Sequence, residues 1–156
     1  MRFPSNQAVL LTGASVGIGR EMALQLAAPG VRLALAARDA AKLDEVAALC
    51  LRAGAEALVL PTDVAIEDDC RRAVESTVAA FGGLDTLLLN AAQDMGVRLD
   101  MLDDTGVLER IVRVNYLGPA WMTHSALEHL KRSRGRIVVV SSLAGLTGVP
   151  TRTGYA

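Results

Sequence analysis

The stretch that decides the fold is Thr12-Gly13-Ala14-Ser15-Val16-Gly17-Ile18-Gly19. A short apolar segment, Ala8–Leu11, precedes it and has the character of a buried strand. Residues Ile18–Ala28 follow with helical spacing and end at Pro29-Gly30, a pair that stops a helix. The sequence therefore predicts a strand, a tight glycine-rich turn and a helix at the start of an α/β domain.

The three glycines of this turn meet three separate physical requirements. Gly13 permits the tight turn, Gly17 lets the backbone come close to a ligand, and Gly19 lets the helix pack closely on the strand. The helix N-terminus supplies unpaired N–H groups and the positive end of the helix dipole, which favour phosphate oxygens. We therefore predict that the turn binds the pyrophosphate of a dinucleotide. The predicted cofactor-binding residues here are Gly13, Ser15, Val16, Gly17, Ile18 and Gly19.

Strand and helix patterns alternate along the whole chain. The predicted strands are Ala8–Leu11, Val31–Ala37, Ala55–Leu60, Leu84–Leu89 and Ile137–Val140. The predicted helices are Ile18–Ala28, Ala40–Ala53, Ile66–Phe81 and Gly106–Lys131, with irregular segments at Asp94–Thr105 and Ser141–Ala156. Strand–helix–strand repeats require parallel pairing with right-handed crossovers. We predict one domain over residues 1–156, a doubly wound, Rossmann-like parallel sheet in three α/β/α layers with strand order 3-2-1-4-5 and a ligand site between strands one and four.

Composition and charge exclude several functional classes. The chain has 156 residues, of which 51% are hydrophobic and 21% charged, with a net charge of −1, so nothing in the balance favours nucleic acid or an anionic membrane. The one basic cluster, Lys131–Arg136, is interpreted as favourable charge at a helix C-terminus, ended by Gly135. The alternative, a contact to a phosphate backbone, lacks accompanying aromatic residues.

The cysteines and histidines indicate neither disulfides nor a metal. Cys50 and Cys70 lie twenty positions apart without a CxxC spacing, and neither His124 nor His129 has metal-ligand spacing with another candidate. The segment Met1–Pro4 leads into polar residues rather than a signal peptide, and no apolar run approaches the length of a membrane span. We expect a cytoplasmic protein with buried, reduced thiols and no metal.

The spacing TGxxxGxG of residues 12–19 resembles the cofactor turn of the short-chain dehydrogenase/reductase family, and further motifs extend the resemblance over essentially the whole chain. Asp63-Val64 is similar to the family's adenine-contacting position, and Asn90-Ala91-Ala92 resembles its NNAG segment with two departures, Leu89 and Ala92. Asn115 matches a helix Asn, and Ser142 and Tyr155, thirteen positions apart, match the family's Ser and Tyr. The resemblance implies hydride transfer between a nicotinamide cofactor and a carbonyl or alcohol carbon of a small molecule.

The resemblance also implies roles for the last three residues. Tyr155 would be the general acid/base, Ser142 would hydrogen-bond the substrate oxygen, and Asn115 would hold a water in the proton relay. In the family a Lys four residues after the Tyr activates it; that position, 159, lies beyond Ala156. We therefore expect this chain to be the N-terminal part of a longer reductase, without the family's later strands. Two alternatives stay open: Tyr155 as a fraying terminal aromatic and Ser142 as a turn hydroxyl.

The end of the second strand favours NADP(H) over NAD(H). An acidic residue there would accept hydrogen bonds from the ribose 2′-hydroxyl, but this chain has Ala37 followed by Arg38. A guanidinium can bind the 2′-phosphate through two parallel hydrogen bonds. In the alternative interpretation Arg38 is a solvated loop charge paired with Asp39.

Two further expectations concern the state of the chain. The run Ile137–Val140 is an edge strand of four consecutive apolar residues, so we expect the isolated chain to aggregate or to need a partner. A homo-oligomer is the family's usual assembly and is expected of the full-length protein. The competing functional hypothesis is a catalytically inactive NADP(H)-binding or sensor module, which would share every residue before Ser142.

Overall fold

The computed structural model describes residues 6–155, so the expectation about Met1–Pro4 lies outside the described residues. Five parallel strands form one sheet in the order 3-2-1-4-5, which confirms the predicted fold class. They are β1 (Ala8–Thr12), β2 (Arg32–Ala37), β3 (Glu56–Pro61), β4 (Thr86–Leu89) and β5 (Arg136–Val139). The register pairs Leu10 of β1 with Ala34 of β2 on one side and Leu87 of β4 on the other.

Helices cover both faces of this sheet. They are α1 (Gly17–Leu26), α2 (Ala40–Arg52), α3 (Glu67–Phe81), α4 (Gly106–Val112) and α5 (Gly118–Ser133). Alternate side chains of a strand point to opposite faces. Accordingly, Leu10 packs in a cluster with α3 and α5, while Val9 and Leu11 pack in a second cluster with α1 and α2. The central strands β1 and β4 are buried at every position, and apart from Thr12 and Thr86 they are apolar because both of their faces are covered.

The long helix predicted over 106–131 is present but has a wider turn in its middle. A π-helical stretch, Arg113–Leu117, joins α4 to α5 without a break. The extra residue in a π turn changes which side chains face inward. Val114 is therefore buried, whereas Val112 is 49% exposed. Such local widening occurs often at functional sites.

The helix end and the edge strand also differ from expectation in detail. Arg134, with φ of 53°, ends α5 in the left-handed conformation, one residue before Gly135, which the sequence predicts as the residue that ends the helix. Strand β5 begins one residue earlier than expected, at Arg136, and all four of its residues are exposed. Val139 is 59% exposed. None of the helices in residues 6–155 combines the length and the apolar character that a membrane crossing requires.

Candidate active site and cofactor cleft

A cleft of about 940 Å³ opens at the carboxyl ends of β1, β2, β3 and β4. This is the position at which parallel α/β sheets bind ligands. The lining residues are Gly13, Ser15, Val16, Ile18, Ala37, Arg38, Asp39, Lys42, Thr62, Asp63, Val64, Asn90, Ala91, Ala92, Gln93, Arg110 and Val114. All the predicted cofactor-binding residues except Gly17 and Gly19 line the cleft, although their role toward a cofactor stays a prediction.

The glycine-rich turn contains two glycines, Gly13 and Gly19, at which any side chain would force neighbouring atoms to move. Gly13 has φ of +68°, and a Cβ there would lie 2.8 Å from the Asn90 side-chain nitrogen. A Cβ on Gly19 would overlap the Gly13 carbonyl oxygen and lie 2.6 Å from the same Asn90 nitrogen. Gly19 therefore lets α1 lie against the turn itself. The sequence predicts instead that this glycine lets the helix approach the strand.

Gly17 has a different reason for being glycine. Its φ is +55°, a conformation that side chains rarely adopt, but beyond its chain neighbours and its own helix backbone no described atom lies within 4 Å of its Cβ position. Val16 precedes it as the extended N-cap of α1, and no side chain caps the helix. The first N–H groups of α1 thus face the turn without a side-chain acceptor, which suits a phosphate.

A buried threonine ties this turn to the loop after β4. Thr12 Oγ1 accepts hydrogen bonds from the N–H groups of Asn90 at 2.9 Å and Ala91 at 3.0 Å. In return, Asn90 Nδ2 donates to the Thr12 carbonyl oxygen at 3.1 Å and, at 3.4 Å, to that of Gly13. Asn90, predicted to bind cofactor, therefore uses its side-chain amide to hold the glycine-rich turn in shape.

Arg38 is an exposed cation on the wall of the cleft, and it is not paired with Asp39. Instead, Asp39 caps α2 by accepting from the Lys42 N–H at 3.1 Å, and its carboxylate pairs with Lys42 Nζ at 3.1 Å. These hydrogen bonds from Lys42, backbone first, hold the pKa of Asp39 below its usual value. Within residues 6–155, no ion pair satisfies the Arg38 guanidinium.

Asp63 faces an arginine that sequence reasoning missed. Its Oδ2 lies 2.7 Å from Arg110 Nη2, and its Oδ1 accepts from the Ala65 N–H at 3.0 Å. Partial burial alone would raise the pKa of Asp63, but the bonds from Arg110 and Ala65, with the charges of Arg110 and Arg38, lower it. The carboxylate at this end of the cleft is therefore ionised near neutral pH. The neighbouring Val64 is buried.

Asn115, in the π-helical stretch, clamps the loop after β4. Its Oδ1 accepts from the Gln93 N–H at 2.8 Å, and its Nδ2 donates to the Gln93 carbonyl oxygen at 2.9 Å. Both polar atoms of the side chain are thus engaged with one residue of the cleft wall. These contacts position the cleft wall, and the water-holding role that the resemblance implied stays a prediction.

Ser142 and Tyr155 lie outside the lining of the cleft, in the segment after β5. Ser142 Oγ accepts from the Ala144 N–H at 3.2 Å, which is the turn contact foreseen as its alternative role. Tyr155 is half-buried, and the chain just before it is held where the Gly154 N–H meets Met95 Sδ at 3.1 Å. An ion pair between Arg152 and Asp94 ties the same two segments together.

The two thiols are structural. Cys50 and Cys70 are free and buried. Burial, followed by the nearby charges of Asp69, Asp63 and Glu67, raises the pKa of Cys70 to about 12, so the thiol stays protonated. Among residues 6–155 no three His, Cys, Asp or Glu side chains come together as metal ligands.

The sequence of this chain is similar to those of known dehydrogenases. The model of the short chain dehydrogenase family matches residues 7–156. The chain is 37% identical over 153 residues to the 11-beta-hydroxysteroid dehydrogenase-like protein 4A of Arabidopsis thaliana, covering 97% of this chain and 51% of that protein. Mouse (Mus musculus) dehydrogenase/reductase SDR family member 7 is 35% identical, with 97% and 46% covered. The chain thus spans about half the length of the curated relatives it matches.

A solved structure agrees with these matches in fold. The alcohol dehydrogenase of the archaeon Thermococcus sibiricus, complexed with 5-hydroxy-NADP, superimposes with a TM-score of 0.91 at 29% identity, covering 96% of this chain and 63% of that one. The glycine-rich turn, the sheet order and the family match point the same way. The chain belongs to the short-chain dehydrogenase family.

Proposed function

We propose that this chain binds NADP(H) and forms the cofactor half of an oxidoreductase that transfers hydride between the nicotinamide and a carbonyl or alcohol carbon. The observation that carries the proposal is the presence of the glycine turn and Arg38 on one cleft. Family membership supports the oxidoreductase class. The Thermococcus sibiricus relative is complexed with an NADP derivative, which supports the choice of cofactor.

The described residues fit a dinucleotide. Gly13 and Gly19 keep side chains out of the turn, and the first turn of α1 offers N–H groups without a side-chain cap. The pyrophosphate would lie against this turn, including Ser15, Val16, Gly17 and Ile18. Arg38 would bind the 2′-phosphate. Asp63 and Val64 would contact the adenine, with Asn90, Ala91 and Ala92 forming the wall after β4.

The nicotinamide, when bound, would supply or accept the hydride. Tyr155 would exchange a proton with the substrate oxygen, and Ser142 would donate to that oxygen as charge develops on it. Ser142 Oγ accepts from the Ala144 N–H, which leaves its own O–H as a donor for substrate. Asn115 would hold a water in the proton relay, and its bonds to Gln93 would keep the wall after β4 in place.

The choice of NADP(H) is tested by substituting Arg38. Titrated with NADPH and NADH, the unaltered chain should prefer NADPH, and Arg38→Ala should lose roughly 10- to 100-fold in NADPH affinity, as expected for a charge-assisted pair, with little change for NADH. Arg52→Ala, an exposed arginine in the last turn of α2, is the matched control and should change neither affinity. If Arg38→Ala retained full affinity for NADPH, the assignment of the 2′-phosphate would be wrong.

Location and assembly complete the proposal. Two buried, reduced thiols support a cytoplasmic enzyme, since disulfides are rare there. Exposed apolar residues on the long helix support a homo-oligomer of the complete protein, because Tyr116 is 72% and Val112 49% exposed. Sedimentation of the complete protein with Tyr116→Lys should show a smaller species than the unaltered protein; an unchanged oligomer would place the interface elsewhere.

A further inference from the structure

Arg110 is the cleft residue whose purpose the proposed function leaves open. The ion pair it makes with Asp63 joins residues 47 positions apart, whereas seven of the other eight ion pairs among the described residues link partners two to four positions apart. Arg110 and Asp63 both line the cleft, with side chains 40% and 22% exposed. The pair therefore presents a cation and an anion side by side to whatever occupies this end of the cleft.

Both groups retain hydrogen-bonding capacity. A carboxylate has about four acceptor positions, and Asp63 uses one on each oxygen, for Arg110 and for the Ala65 N–H. A guanidinium has five N–H donors, of which Arg110 spends one on Asp63 among the described residues. The lowered pKa of Asp63 means that it accepts and does not donate. The site thus offers a fixed acceptor next to a fixed donor.

This pattern fits one edge of one purine. Adenine carries an N–H donor on its 6-amino group next to an acceptor at ring nitrogen N1, while hypoxanthine carries the reverse, an acceptor at position 6 and a donor at N1. Resting on the proposed function, we infer that Arg110 is a specificity-determining residue that donates to N1 of the adenine while Asp63 accepts from the 6-amino group. Arg38 lines the same cleft as Asp63 and Arg110, so the 2′-phosphate and the base would occupy one continuous cleft.

The experiment compares NADPH with its hypoxanthine analogue, reduced nicotinamide hypoxanthine dinucleotide phosphate, by nicotinamide fluorescence. The unaltered chain should bind NADPH at least about tenfold more tightly, the discrimination typical of a two-bond base contact. Arg110→Met should lower this ratio several-fold, mainly by weakening NADPH, while Asp63, which still accepts from the 6-amino group, keeps part of the preference for adenine. Arg110→Lys, which retains the charge and the pair with Asp63 but not the planar fork, should lower the ratio at an unchanged melting temperature.

Controls separate a base contact from a structural one. Arg113→Met removes a neighbouring arginine whose exposed partner is Glu109, and it should leave the ratio unchanged. Equal weakening of both dinucleotides by Arg110→Met and Arg110→Lys would mean that Arg110 only packs or stacks, and would overturn the inference. If the folded, unaltered chain bound neither dinucleotide, the proposed function itself would fail and this inference with it.

Discussion

The two ends of the proposed active site are built differently. The phosphate turn is anchored in the core, because Thr12 is 2% exposed and its hydroxyl bonds reach 78 and 79 positions along the chain to the loop after β4. The segment that carries Ser142 and Tyr155 lies on the surface, with Leu143 76% and Leu146 86% exposed. Its described polar contacts to the loop before α4 are the ion pair of Arg152 with Asp94 and the contact of the Gly154 N–H with Met95 Sδ.

On the proposed function, this contrast separates the residues that would hold the cofactor from those that would perform chemistry on it. A phosphate turn needs fixed N–H groups, so it is built where the sheet already imposes the backbone. A segment with few buried contacts unfolds locally at a low cost in free energy, so its order depends on the residues that pack against it. Substitutions at the first end should therefore change stability, and substitutions at the second should change activity with little change in stability.

The largest effect is expected at Tyr155. In the natural polypeptide that carries this sequence, Tyr155→Phe should lower kcat for carbonyl reduction by about 10²- to 10⁴-fold, the usual contribution of a general acid. NADPH affinity and the free energy of unfolding should stay nearly constant. Tyr116→Phe, on the exposed face of the long helix, is the matched control and should retain full kcat. Substantial turnover by Tyr155→Phe would remove this residue from the catalytic set.

Gly19→Ala should be the most destabilising change at the cofactor end. The new methyl group would overlap the Gly13 carbonyl oxygen, so the turn or α1 must shift, at about 2–4 kcal/mol of unfolding free energy. Gly148→Ala at the other end meets no atom within 4 Å and should stay within about 0.5 kcal/mol. Urea denaturation measures both, and equal effects would contradict the contrast between the two ends.

Thr12→Val tests the hydroxyl that joins the turn to the loop after β4. Valine keeps the shape but leaves the N–H groups of Asn90 and Ala91 without their acceptor, which should cost about 2 kcal/mol of stability. Thr153→Val, at an exposed position in the other segment, should change stability by less than about 0.5 kcal/mol. A stable Thr12→Val variant with unaltered NADPH binding would show that this network is dispensable.

The Asp63–Arg110 pair should make a smaller contribution that depends on pH. Because the folded-state pKa of Asp63 lies below its ordinary value of 3.8, the contribution is fully present above that pH and is lost as the pH falls through the lower folded-state pKa. The difference in unfolding free energy between the unaltered chain and Asp63→Asn should be on the order of 1 kcal/mol at neutral pH and shrink below pH 3.8. A difference that grows on acidification would mean that the carboxyl is protonated in the folded chain.

The smallest effect on stability, within about 0.5 kcal/mol, is expected for Val139→Lys on the exposed edge strand β5. Its consequence should instead be lower self-association of this chain, since a charge on a strand edge opposes edge-to-edge pairing. Leu51→Lys removes a comparably exposed apolar side chain from α2 and should reduce association less. Light scattering against concentration compares the two; no difference between them would exclude β5 as the point of association.

The fold was predictable because its signals are local and repeated. Each strand ends at glycine, proline or a polar residue, and each helix has a clear apolar face, so order and topology follow from the parallel βαβ rule. The same rule brings Asp63 and Asn90 to one edge of the sheet. The glycine turn was predictable for the same reason, although Gly19 proved to approach Gly13 rather than the strand.

The unpredicted features depend on contacts between distant residues. Nothing local marks Arg110 as the partner of Asp63, because the pair forms only when α4 packs beside the loop after β3. The π-helical turn at 113–117 likewise has no pattern of its own and leaves Val112 outside the core. The only signal in the sequence for this pair was the position of Arg110, a basic residue about one and a half helical turns before Asn115. A helical pattern alone does not distinguish such a residue from a solvated surface charge.

The central claim is that the turn around Gly17 and the Arg38 side chain hold NADP(H) together. Titration of the folded chain with NADPH, followed by amide NMR shifts, tests it most directly. We expect saturable shifts concentrated at Gly13, Gly17, Gly19 and Arg38, with weaker binding of NADH. A well-dispersed spectrum that NADPH leaves unmoved at these amides would contradict it.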